Sequence, residues 1–292
     1  MSEPLHPKGG SLHRGLLGGR TARILTVEAR LLCDEVRERH ALDRNATQIA
    51  GELLLANLLM GAWIKGEERI TLQVHGEQPA FAFTGDVDAL GGARARLAPP
   101  VLGAEAARLS GYLLAIKSDA RRELYRSLTP VSGASVEEAL RAHLGDSAQV
   151  GALLRLGVRL GEDGRVAFAG GVMIERLPED PKLPSISAVQ FAETYGPLQD
   201  APVEDILVGV AFGKLLGIAI EPLEDRQLVW RCACSKARVL DMLYSLGPVE
   251  LGAMLEEDGH AEVRCHFCNT AEQVLRDELV ALLERHAAGR QA

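Results

Sequence analysis

The chain has 292 residues, 47% of them hydrophobic and 25% charged, which suits one large or two ordinary domains and excludes wholesale disorder. Its 32 basic against 40 acidic side chains leave a net charge of −8, the wrong balance for a protein whose main work is coating nucleic acid. Five cysteines are too few to staple a secreted scaffold of this length, yet four of them fall within the last 61 residues.

In chain order, Met1 to Arg20 is polar and Gly-rich, with neither the apolar run nor the cleavage site of a secretory leader. Helical periodicity follows over Ala29–Glu38 and Thr47–Trp63, the second with Ile49, Leu53, Ala56, Leu59 and Trp63 on one face. Alternating apolar residues predict strands at Ile70–Val74, around Phe81 and Phe83, and at Gly92–Leu97, Tyr112–Lys117 and Glu123–Leu128. Ser135 with Glu138 forms a capping box that opens a helix through about Leu144. Strands return at Leu153–Leu160 and Val166–Met173. Adjacent strands with few βαβ units predict an α+β domain, not a doubly wound sheet. The apolar stretches Ile49–Ile64 and Ile206–Ile220 are too short to span a bilayer and read as buried core helices. A soluble cytoplasmic protein with reduced thiols and no membrane partner is expected.

Composition then shifts. Pro178, Pro181, Pro184, Pro197 and Pro202 crowd together, and residues 175–230 carry 4 basic and 10 acidic side chains. The expected organisation is an N-terminal mixed α/β core over 1–177, an acidic helical linker over 178–229, and a small C-terminal domain over 230–292.

The last of these holds the strongest signal. Cys232-Ala-Cys234 and Cys265-His-Phe-Cys268 are separated by 30 residues. Two close thiol pairs from separate segments supply four thiolates in a tetrahedron, a donor set that favours Zn²⁺. A complete set of four leaves no open position for substrate, so the site reads as structural or regulatory; the spacing alone favours a static ribbon over a redox switch. Strand-like Leu228–Arg231 and Glu262–Arg264 lead into the thiol pairs. Ser235 caps a predicted helix, Pro248 starts another, and Thr270 with Gln273 is predicted to cap a third that carries Val274, Leu275, Leu279, Leu282 and Leu283. His266 reads as an exposed bystander and Cys33, beside Leu31 and Leu32, as a core thiol.

The tail resembles the heat-shock protein 33 family, the 33 kDa chaperonins. The resemblance rests on Cys232-Ala-Cys234-Ser235, Leu246-Gly-Pro-Val-Glu-Leu251 and Glu262-Val-Arg-Cys265-His-Phe-Cys268. It extends upstream through Gly170-Gly-Val-Met-Ile174, Leu177-Pro178, Ser132-Gly133 and Ser147-Ala-Gln149. The chain departs from the family pattern at Tyr125-Arg126-Ser127 and in the segment after Cys268. The resemblance implies an ATP-independent holdase for unfolding client proteins. Its reduced form would hold one zinc ion on Cys232, Cys234, Cys265 and Cys268 and be inactive. Oxidation would then form the Cys232–Cys234 and Cys265–Cys268 disulfides, release zinc, loosen the linker and favour a homodimer.

Two other functions fit the thiol pairs less well. A zinc-ribbon nucleic-acid adaptor needs basic and aromatic residues that the acidic segment 231–292 lacks. A thiol–disulfide oxidoreductase using Cys265–Cys268 would have no use for a second thiol pair. The chain has no P-loop, no dinucleotide fingerprint and no GxSxG, so no enzymatic role is expected.

Overall fold

The computed structural model describes residues 9–78, 80–103, 108–147, 152–177 and 185–289. Pro178, Pro181, Pro184, Ala148 and Gln149 lie outside them. The chain divides into two compact units, one ending at Arg231 and one running from Cys232 to the C-terminus.

The first unit is built on a ten-stranded sheet. Its strands are β1 (Gly9–Leu17), β2 (Ala22–Glu28), β3 (Arg69–Gln78), β4 (Ala80–Asp88), β5 (Gly92–Ala98), β6 (Leu109–Ser118), β7 (Glu123–Ala134), β8 (Ala152–Leu160), β9 (Val166–Arg176) and β12 (Glu221–Trp230). They lie in the order β7-β6-β3-β4-β5-β12-β1-β2-β9-β8. Every pairing is antiparallel except the short parallel contact of β12 with β5. The fold is α+β, with a mixed α/β body and a small C-terminal unit that carries the four cysteines.

Helices α1 (Arg30–His40), α2 (Arg44–Met60) and α3 (Val136–Ser147) pack on one face. Asp43 starts α2 by accepting the Ala46 N–H. Most of α2 is buried, from Ala46 to Met60, so it forms the middle of a core that also includes Leu25, Leu72, Phe83 and Leu154. The Ser135–Glu138 capping box forms as predicted, with each side chain bound to the other's backbone N–H. The opposite face is covered by α4 (Ala188–Tyr195) and α5 (Val203–Ala211). Their Phe191, Tyr195, Val203, Ile206 and Leu207 pack on Leu17, Ile24, Val172 and Ile174.

Three local expectations fail, each for a physical reason. Strands β1 and β2 were not predicted. The glycines of β1 resemble a loop, but Gly10 is required by the ladder: a Cβ there would lie 2.1 Å from the Glu28 carbonyl oxygen. The Ile206–Ile220 run is not one buried helix. It breaks after α5 into a hairpin of β10 (Lys214–Leu215) and β11 (Ile218–Ala219), turned at Leu216 and Gly217, both at positive φ. Thr270 does not cap a helix either, because Ala271–Val274 forms strand β14 against β13 (Ala261–Arg264). The following helix begins only at Arg276, where Glu278 accepts the Leu275 N–H.

One buried acid gives this unit a pH dependence. Glu52 on α2 binds Gln48 at 2.6 Å, and burial, reinforced by nearby Glu137, pushes its carboxyl up to about 7. Its folded pKa is raised, so the folded state binds the extra proton. The stability this group permits is therefore present below its unfolded pKa of about 4.3 and is lost as pH rises through about 7. Glu52→Gln is expected to remove that loss, on the order of 1–3 kcal/mol at pH 8. Urea midpoints of both proteins at pH 5 and pH 8 check it; equal slopes with pH would exclude the effect.

Candidate metal centre

The second unit is small. Helices α6 (Lys236–Leu246), α7 (Pro248–Glu257) and α8 (Arg276–Gly289) and the β13–β14 hairpin enclose Leu243, Leu251, Val274, Leu279 and Leu282. Ser235 caps α6 by accepting the Arg238 N–H, and Pro248 occupies the first turn of α7, both as predicted. Cys232 and Cys234 precede that cap. Cys265 and Cys268 stand on the turn that joins β13 to β14. The turn is closed by Asn269 N–H donating to the Cys265 carbonyl at 2.9 Å and Cys265 N–H donating to the Thr270 carbonyl at 3.0 Å. Asn269 sits at φ 55°, a left-handed position that asparagine tolerates.

The four sulfur atoms all lie within 4.8 Å of one another. Cys232 Sγ is 3.6 Å from Cys265 Sγ, and Cys234 Sγ is 3.1 Å from Cys268 Sγ. A zinc tetrahedron with Zn–S bonds of about 2.3 Å has sulfur–sulfur edges near 3.8 Å, so the donor set fits this ion in type and spacing. Burial pushes the Cys234 and Cys265 thiols up, as do their hydrogen bonds to neighbouring thiols. Burial also opposes ionisation of Cys268, but hydrogen bonds from Thr270 and Cys234 outweigh it and bring that thiol down to about 6. Four thiols this close cannot all ionise without a counter-cation, and a divalent ion supplies one. Backbone N–H groups of Phe267 and Cys268 point at Cys265 Sγ, and that of Thr270 at Cys268 Sγ, a donor shell suited to thiolates.

Sequence reasoning brought the right four cysteines together but missed Thr270 as a partner of Cys268. Its position two residues past the second thiol pair was the available signal. His266 is exposed and outside the sulfur cluster. Cys33 is far from it in character: burial in the α1–α2 core pushes its thiol up to about 12, which leaves it inert.

A family model described as Hsp33 protein matches residues 10–274. The chain belongs to the Hsp33 family. The 33 kDa chaperonin of Syntrophotalea carbinolica is 31% identical over 274 residues, covering 86% of this chain and 91% of its own. That of Symbiobacterium thermophilum is 30% identical over 289 residues, covering 92% and 95%. The crystal structure of the Hsp33 homologue of Thermotoga maritima superposes with a TM-score of 0.77 at 24% identity, over 96% of this chain and 99% of that one, which supports the fold. Family membership makes this chain a chaperone-family protein, and its relatives are named chaperonins rather than enzymes. No helix among the described residues is long and apolar enough to cross a membrane.

Proposed function

We propose that the chain is a redox-regulated, ATP-independent holdase of the cytoplasm that binds unfolding proteins, with Cys232, Cys234, Cys265 and Cys268 as its zinc-binding switch. The observation that carries the reading is the cluster of four sulfurs within 4.8 Å in an Hsp33-family chain. Bound zinc would supply charge neutralisation and most of the folding energy of residues 230–292. Oxidation by peroxide would join the thiolates as Cys232–Cys234 and Cys265–Cys268, reducing two peroxides to water and leaving no anionic sulfur to hold a cation.

Two sulfur contacts, at 3.6 and 3.1 Å, run across the two segments, but in a tetrahedron every pair is an edge, so proximity does not choose the disulfides. Chain tethering does. Sequence neighbours remain close when the cluster opens, whereas the cross pairs must close loops of more than 30 residues.

The linker, residues 178–229, is the element proposed to respond, through the part that precedes β12. Residues Phe191 to Leu215 cover Leu17, Ile24, Val172 and Ile174, so their release would bare a continuous apolar face for clients or for a second copy. The linker already presents Val189, Val208, Phe212 and Leu216 to solvent. The test pairs zinc content with suppression of client aggregation, before and after peroxide at mild heat. Expected are one zinc per reduced chain, and activity that appears only on oxidation. Activity independent of thiol state sinks the switch, as does a reduced protein without zinc. Hydrogen exchange over 178–229 that is unchanged by oxidation would remove the linker from the scheme.

A further inference from the structure

Ser11 and His13 are two residues apart on β1 and therefore share one face of the sheet. Asp225 of β12 stands directly across from His13 in the ladder. The three side chains form one hydrogen-bonded series. His13 Nδ1 lies 2.6 Å from Asp225 Oδ1, and His13 Nε2 lies 3.1 Å from Ser11 Oγ. With its proton on Nδ1, the imidazole donates to the carboxylate and leaves Nε2 to accept from the serine hydroxyl. A hydroxyl, an imidazole base and an orienting carboxylate in this order form the arrangement that activates serine, recognised by geometry and not by sequence position.

Two members of the series border a cleft of about 360 Å³ between the sheet and α5, and Ser11, outside that lining, lies 3.1 Å from the His13 ring. His13 and Asp225 line it together with the apolar side chains of Ile24, Leu207, Val210 and Ile220. That volume falls within the range of small-molecule sites, about 300–1,000 Å³.

We propose that Ser11 is a nucleophile that takes an acyl group from activated acyl donors, with His13 as general base, Asp225 as positioning residue and the α5 cleft as the seat of a short apolar acyl chain. Ser11 Oγ attacks the carbonyl carbon as its proton passes to His13 Nε2. The bond from that carbon to the leaving group breaks, and the departing group takes the proton. Water then hydrolyses the acyl-serine with His13 again as base, and the half-exposed site admits it. Strand β1 is paired on both sides, so its N–H groups are committed to the ladder and not free to stabilise an oxyanion. The chemistry is thus confined to donors with a good leaving group. The inference does not depend on the redox reading.

The test uses the full reduced chain with p-nitrophenyl butyrate, following p-nitrophenolate release and mapping the butyrylated peptide. Label on Ser11 is expected, with release slowed about tenfold or more by Ser11→Ala and by His13→Gln. Ser11→Ala keeps every cysteine, so it subtracts any acylation of thiols. Asp225→Asn should lower kcat for the butyrate ester about tenfold or more while leaving KM unchanged, because the imidazole is no longer held with Nε2 toward Ser11. A merely structural Asp225 would not produce that split. Label on other residues, or wild-type release from Ser11→Ala, overturns the proposal.

Discussion

Removing the metal from the reduced protein is expected to unfold residues 232–292 while the ten-stranded sheet persists. The second unit buries few apolar side chains, Leu243, Leu251, Val274, Leu279 and Leu282 among its described residues, in a segment of about sixty residues. Cores of that size rarely supply more than a few kcal/mol. Structural zinc contributes about 10–16 kcal/mol of apparent free energy near neutral pH, so the metal decides whether the unit folds. Hydrogen exchange after chelation is the measurement: protection should vanish over α6, α7 and α8 and survive over β1–β9. Retained protection in the three helices would show that the metal is dispensable for folding. Substituting serine at Cys268, the thiol most inclined to ionise, should bring the metal-replete protein close to the chelated one.

Leu279→Ala is expected to lower the stability of the same unit by about 2–5 kcal/mol, the usual cost of a cavity in a core. Leu279 is fully buried on α8 and packs with Leu243 of α6 and Leu251 of α7. In a core of this size few neighbours can collapse into the space, which favours the upper part of the range. Calorimetry of the metal-replete protein should show the transition of residues 232–292 moving down and that of the first unit unchanged. A shift of both together would mean that the two units unfold as one. Because metal and core stabilise the same fold, the variant should also yield its zinc to a weaker chelator.

The elements legible in the sequence are those whose signal is local. The helical stripe of α2, the alternation of β3, β4 and β6, the capping box at Ser135 and the two thiol pairs each declare themselves within a dozen residues. What escaped depends on pairing that a segment's own residues do not announce. Strand β1 reads as a Gly-rich loop because its glycines hide a strand whose ladder comes from β2 on one side and, some 210 residues later, from β12 on the other. The Ala271–Val274 segment has the polarity of a helix start, and only its pairing with β13 makes it a strand. The same distinction runs through the chemistry. Four cysteines with ligand spacing announce a metal site, whereas Ser11 and His13 acquire meaning only when Asp225 arrives beside them.

The placement of β12 also orders events at the ribosome. It is the central link in the sheet, joined to β5 on one side and β1 on the other. At about 5–20 residues per second, strand β1 emerges roughly 10–40 s before the partner that fills its open edge. During that interval the nascent chain can assemble β7-β6-β3-β4-β5 and β1-β2-β9-β8 as separate sheets, each with an unpaired edge facing the gap. A chain of this chaperone family thus passes through a stage in its own synthesis when it exposes the kind of surface that invites aggregation.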